Sequence, residues 1–116
     1  MADEKWKESF REGKELILAT CLDNNPNANI VISLGFVDNR LLIADSQMKI
    51  TIKNLKQNKK ICIVGGYYRI RGTVEIFKSG KYFEICARKD KKYPVKNAIL
   101  VDIKEVFDLD KVKKII

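Results

Sequence analysis

Histidine is absent from the 116 residues. That removes the usual zinc-ligand set, the axial histidine of a haem site, and every mechanism with imidazole as its base. Cysteine is scarce and unpatterned. Cys21, Cys62 and Cys86 stand singly in apolar surroundings with no C-x-x-C spacing, which reads as reduced, buried, structural thiols. No apolar run approaches the roughly 18–20 residues of a membrane span. The opening MADEKWKESF is charged throughout and has no signal-peptide-like stretch, so the expected location is the cytoplasm. Arginine is also sparse, with five among 23 basic residues. The net charge of +8 invites nucleic acid as a partner, but lysines spread along the chain without arginine forks read as solvated surface. Charge of this kind supports only non-specific attraction.

What is present suits a folded chain. A hydrophobic share of 46% excludes disorder, and the length fits one domain over residues 1–116. Residues 3–13 pattern as a short amphipathic helix, with Trp6 and Phe10 at i, i+4 and Gly13 as its stop. Strands are expected over residues 15–22, 28–37 and 40–45, separated by the turn cluster DNNPN and by Asp38-Asn39. Short connections favour an antiparallel meander. A helix follows Ser46, with Met48, Ile52 and Leu55 as its buried stripe. Two more strands cover residues 61–64 and 67–77, with Gly65-Gly66 as a bend. In YRIRGTVEIF, alternation puts Tyr68, Ile70, Gly72, Val74 and Ile76 on one face and Arg69, Arg71, Thr73 and Glu75 on the other. Gly72 in mid-strand signals close approach of a backbone or a ligand. Residues 81–92 read as a helix with Tyr82, Ile85 and Lys89 aligned. Residues 97–109 form a last strand, and the basic tail after Asp110 is expected as a frayed helix. Six strands with an inserted helix argue a mainly β chain closed into a small barrel.

One segment carries chemistry. LLIAD followed by SQMKITIKNLKQNKK places Ser46, Gln47, Lys49 and Thr51 around a helix start, where free N–H groups and the helix dipole favour a phosphate. Lys53, Lys56 and Lys60 repeat on another face and are assigned to solvent. Asp45 reads as a cap and Glu75 as a strand-surface charge. Neither a carboxylate pair nor an activated nucleophile is evident, so no catalytic residue is assigned. Tyr67, Tyr68 and Tyr82 are either ring-stacking or core residues.

Three markers in order give a resemblance over about residues 16–109: LATCLDNNPNANIVI, LLIADSQMKITIKNLKQNKKICI and YRIRGTVEIF. The chain resembles the FMN-binding split barrels related to pyridoxamine 5′-phosphate oxidase, and among them the short bacterial FMN-binding proteins. The resemblance implies a six-stranded antiparallel split β-barrel of Greek-key type with short flanking helices. It implies FMN as cofactor, its phosphate at Ser46, Gln47, Lys49 and Thr51, with Asn54 nearby and Asp45 in the same turn. It implies backbone contacts to the ring from Val31, Ile32, Ser33 and Leu34. A homodimer with FMN at the subunit interface follows from the same likeness, with Arg69 and Arg71 offered to the phosphate or to a partner-chain ring. The chain departs from the family in three ways. It lacks the C-terminal arginine and histidine of the full-length oxidases, so that activity is not expected. Relatives resembling nitroimidazole reductases, and some haem-linked ones, also rely on histidine. Ile50 replaces a common basic residue, for which Lys49 compensates. The expected role is electron transfer or oxidoreduction with a small-molecule or protein donor and acceptor. The alternatives are another phosphorylated cofactor, F420 or haem-related, and a basic β-barrel binding nucleic acid.

Overall fold

A computed structural model describes residues 5–46, 48–90 and 93–115. Two tight turns set its meander. Asp23-Asn24 (φ 51° and 63°) and Asp38-Asn39 (φ 53° and 63°) supply the consecutive left-handed residues of a type I′ hairpin, which Asp and Asn tolerate. The first joins β1 (Glu15–Leu22) to β2 (Asn25–Ile32); the second joins β3 (Phe36–Val37) to β4 (Arg40–Asp45). The chain continues through α1 (Ile50–Gln57), β5 (Lys60–Gly65), β6 (Tyr68–Phe77), α2 (Lys81–Lys89), β7 (Asn97–Asp108) and β8 (Lys113–Lys114).

All pairings are antiparallel, in the order β2-β1-β5-β6-β7-β4-β3, with β8 added beside β7. The two ends of that order, β2 and β3, are consecutive in the chain. The sheet therefore closes on itself through residues 33–35, not through a full hydrogen-bonded ladder. Five of the six expected strands are present as single strands, the second is divided into β2 and the two-residue β3, and β8 is a two-residue addition.

The differences from the sequence reading have physical causes. β2 starts at Asn25, because a two-residue turn suffices and Pro26 lies on an edge strand, where a missing N–H breaks no ladder bond. Residues 28–37 are not one strand. Ser33 Oγ donates to the Phe10 carbonyl (2.6 Å) and accepts from Gly35 N (3.0 Å), and Gly35 takes φ 88°. The tail is not helical: Asp108 Oδ1 accepts from Asp110 N and Lys111 N (both 3.0 Å), turning the chain back as β8. The first helix is a 3₁₀ helix, Lys5–Phe10, with Trp6 and Phe10 buried as expected; Asp3 lies outside the described residues. α2 ends at Lys89, and residues 91 and 92 also lie outside them.

The barrel interior is packed by Leu16, Leu18, Val31, Leu41, Ile43, Ile63, Ile70, Val74, Ile99, Val101 and Val106, plugged by Trp6 and Phe10 and by Ile52 and Leu55 of α1. α2 covers a second cluster outside the wall, Leu34, Leu42, Cys86, Ala98 and Leu100. Its first turn is tied down by Asp38, which accepts from Lys81 Nζ (2.9 Å) and Tyr82 OH (2.8 Å). The Lys81 hydrogen bond, then that of Tyr82, holds the Asp38 carboxyl below its usual range. At Gly72 a Cβ would run into the Asp102 carbonyl, so the close approach anticipated there is by backbone. Among the described residues no helix is long and apolar enough to cross a membrane.

The thiols divide by environment. Cys86 is buried and its thiol is pushed up to about 11, chiefly by burial and then by Asp90. Cys62 is half-buried, and Cys21 is exposed, against the expectation that all three are buried. With a thiol-disulfide reagent at pH 8, Cys21 should react first and Cys62 more slowly. Cys86 should react only on denaturation, because both access and thiolate fraction are denied to it. Mass mapping of the labelled sites checks that order.

Candidate functional site

Backbone alternation decides where the barrel is open. In an antiparallel ladder, alternate residues direct both backbone groups to the same neighbour. Ser33 N donates to Lys14 O (2.9 Å), Ser33 O accepts from Gly13 N (2.9 Å), and Leu34 N turns the other way to Leu42 O (3.0 Å). Odd-numbered positions of β2 therefore pair with β1, while Ile30 and Ile32 aim their N–H and C=O groups outward. β2 ends the hydrogen-bonded order, so that edge has no strand beside it. Leu42 N donates to Gly35 O (3.0 Å), and by the same alternation Ala44 of β4 faces the β2 edge. Beyond the Leu34–Leu42 contact β2 and β4 diverge, leaving a split.

A cavity of about 510 Å³ lies along that split, within the range of small-molecule and cofactor sites. β2 supplies Asn29, Ile30, Val31 and Ile32, and the bend after it Leu34; β4 and the following turn supply Ala44, Ser46 and Met48; the end of α2 and its loop supply Lys89, Asp90 and Tyr93.

The turn that shapes one end is held by Asp45. Its Oδ1 accepts from Met48 N (2.7 Å) and its Oδ2 from Asn97 Nδ2 (2.6 Å). Asp45 is thus a buried turn-former ahead of α1, whose cap position is taken by Lys49 and not by Asp45. Ser46 is different. Its Oγ is buried and has no hydrogen-bond partner among the described residues, a costly state for a hydroxyl unless something else pairs with it. Lys49 is exposed and occupies the cap position of α1 without a side-chain cap bond. Gln47 lies outside the described residues.

Other expected residues are occupied elsewhere. Thr51 is buried, donating to Asn29 Oδ1 and accepting from Asn27 Nδ2 (2.9 Å), so it ties α1 to β2. Asn54 is buried and donates to Thr20 Oγ1 (3.1 Å). Ser33 is consumed by its bonds to Phe10 and Gly35. Arg69 stacks over the Phe107 ring, 4.9 Å from its centroid. Arg71 lines a separate cleft with Cys21, Lys60 and Cys62. Within one chain neither arginine lines the split.

The cavity also holds residues that sequence reasoning did not select. Asn29 sits two positions from Asn27 on the inward side of β2, and two amides at alternate inward positions were the available signal. Lys89 donates to the Leu34 carbonyl (3.1 Å) and to Glu12 Oε1 (2.6 Å). Its signal was a cation at the end of the Tyr82–Ile85 stripe.

The site is a slot with apolar walls, unpaired backbone on its β2 side, an unpartnered hydroxyl at one end and an ammonium at the other. This donor set fits a flat heteroaromatic ring that carries amide-like edges and a polar tail. Such a barrel and slot define a cofactor-binding split barrel. The pattern of the pyridoxamine 5′-phosphate oxidase family matches residues 2–110, and the chain belongs to that family. An uncharacterized protein of Methanocaldococcus jannaschii is 29% identical over 111 residues, covering 84% of this chain and 74% of that protein. Group A Streptococcus HupZ superposes with a TM-score of 0.83 at 21% identity, covering 98% of each chain. A pyridoxamine 5′-phosphate oxidase-related, FMN binding protein of Nostoc punctiforme superposes at 0.64 and 14% identity, covering 93% of this chain and 81% of that one.

Proposed function

We propose that the chain binds FMN in the split and works as a flavin-dependent oxidoreductase or electron carrier. The observation that carries this reading is the buried, unpartnered Oγ of Ser46, a residue that lines the same cavity as the free edge of β2. The hydroxyl suits a phosphate oxygen, and the exposed ammonium of Lys49 adds charge to the same turn. Ile30 and Ile32 offer backbone donors and acceptors to the pyrimidine edge of the ring. FMN supplies the redox chemistry when bound, while the protein sets orientation and access. Family membership and the FMN binding protein of Nostoc punctiforme support the cofactor. The lack of any histidine argues against the oxidase activity for which the family is named.

A second copy of the chain completes this reading. Ile17, Ile30 and Ile32 are 48%, 73% and 50% exposed, and Ile17 and Ile30 are directly paired across β1 and β2. Three adjacent isoleucines left in water beside a cofactor slot suit burial against a partner. A twofold dimer would cover both the apolar face and the outer rim of the slot.

Two experiments test these proposals. Ser46→Ala removes a buried hydroxyl that has no partner among the described residues. It should leave the apoprotein as stable as wild type, or up to about 1 kcal/mol more stable, while FMN affinity falls about tenfold. Fluorescence titration with FMN and urea unfolding measure the two quantities. Unchanged affinity, or an apoprotein indifferent to FMN that takes up a deazaflavin, would contradict the FMN site. Ile30→Glu should convert a dimer to a monomer by light scattering and weaken FMN retention; a wild-type monomer would rule out the partner.

A further inference from the structure

We infer, on the FMN reading above, that Lys89 sets the reduction potential of the flavin held in the split, with Glu12 as its opposing charge. Lys89 is the one cation among the described residues lining the cavity. It is not a loose surface lysine. Asp38 ties the first turn of α2 to the β3–β4 turn, and Cys86 anchors the middle of the helix in the cluster with Leu42 and Leu100. The last residue of α2 is therefore delivered to a fixed place. There its Nζ donates to the Leu34 carbonyl (3.1 Å) and pairs with Glu12 Oε1 (2.6 Å). The side chain is only 32% exposed, whereas that of Glu12 is 59% exposed.

Leu34, in the bend that follows β2, walls the cavity together with Lys89, so the ammonium lies beside the slot a ring would fill. Reduction places additional negative charge on the ring. A fixed cation at the wall stabilises the reduced state more than the oxidised one, and more strongly where water is excluded. Glu12, on the solvent side of the pair, offsets part of that field. Asp90 faces the same cavity and lowers the net field without changing the sign of the Lys89 contribution. A merely structural lysine, pinning the end of α2, would affect stability and leave the potential alone.

The opposite signs of the two charges provide the test. In the full-length protein loaded with FMN, Lys89→Met should lower the ratio of reduced to oxidised FMN affinity about tenfold. Dye-equilibrium titration reads this as a fall of about 30 mV for the two-electron couple. Glu12→Gln leaves the Leu34 hydrogen bond in place and should raise the ratio about threefold, while Lys89→Arg should stay within about twofold of wild type. Shifts of the same sign in Lys89→Met and Glu12→Gln, or a ratio within about twofold of wild type in Lys89→Met, would overturn the role. If Lys89→Met does not fold, Glu12→Gln decides alone: a rise supports the role, and a fall or no change overturns it. A wild-type protein that takes up no FMN overturns the FMN reading and this role together. FMN bound tightly with unmoved potentials overturns only the role of Lys89.

Discussion

The bend at residues 33–35 is the constraint on which the rest of the structure depends. Ser33 uses its hydroxyl twice, toward the Phe10 carbonyl and from Gly35 N, and Gly35 adopts a positive φ. The chain thereby leaves the edge of β1 and reaches the edge of β4 within three residues. This closes the barrel covalently, with Leu34 and Gly35 of the bend bonded to Leu42 and no ladder between β2 and β4 among the described residues. A continuous strand over the same residues would zip the two edges together and remove the cavity. Opening and closure are thus consequences of one turn.

Two helices use that opening. α1 is held against β2 by the Thr51–Asn29 bond and against β1 by the Asn54–Thr20 bond, so its start and the Asp45 turn fix one end of the slot. α2 is pinned by Asp38 at one terminus and by Leu34 and Glu12 at the other. The buried polar residues around α1 are therefore architectural, and Ser46 is the exception. Satisfied polar groups stiffen the frame, and the unsatisfied Ser46 hydroxyl belongs to a residue that lines the cavity.

Much of this was legible in the sequence. The type I′ dipeptides, the stripe Met48–Ile52–Leu55 and the alternation in YRIRGTVEIF each carry a local signal that the packing obeys. The Ser46 turn was legible too, because helix-terminus chemistry and turn residues coincide there. The spacing of Thr51 matches a phosphate site equally well, and only the position of Asn27 and Asn29 shows what its hydroxyl bonds within the chain. The break of β2 at Ser33 is not evident in ANIVISLGFV, which is mostly apolar and β-prone on both sides of the serine, and it is the tertiary contact of Ser33 to Phe10 that interrupts it. Lys89 reaches the slot through the placement of an entire helix, which no local pattern encodes.

The central claim is that the free edge of β2 reads the cofactor. Residue-resolved amide hydrogen exchange, with and without FMN, tests it most directly. The amides of Ile30 and Ile32 point into the split and should slow strongly on binding. Those of Val31 and Ser33, already paired with the β1 side, should change little. Equal protection of all four amides, or protection confined to the outer face of β6 around Arg71, would contradict the account.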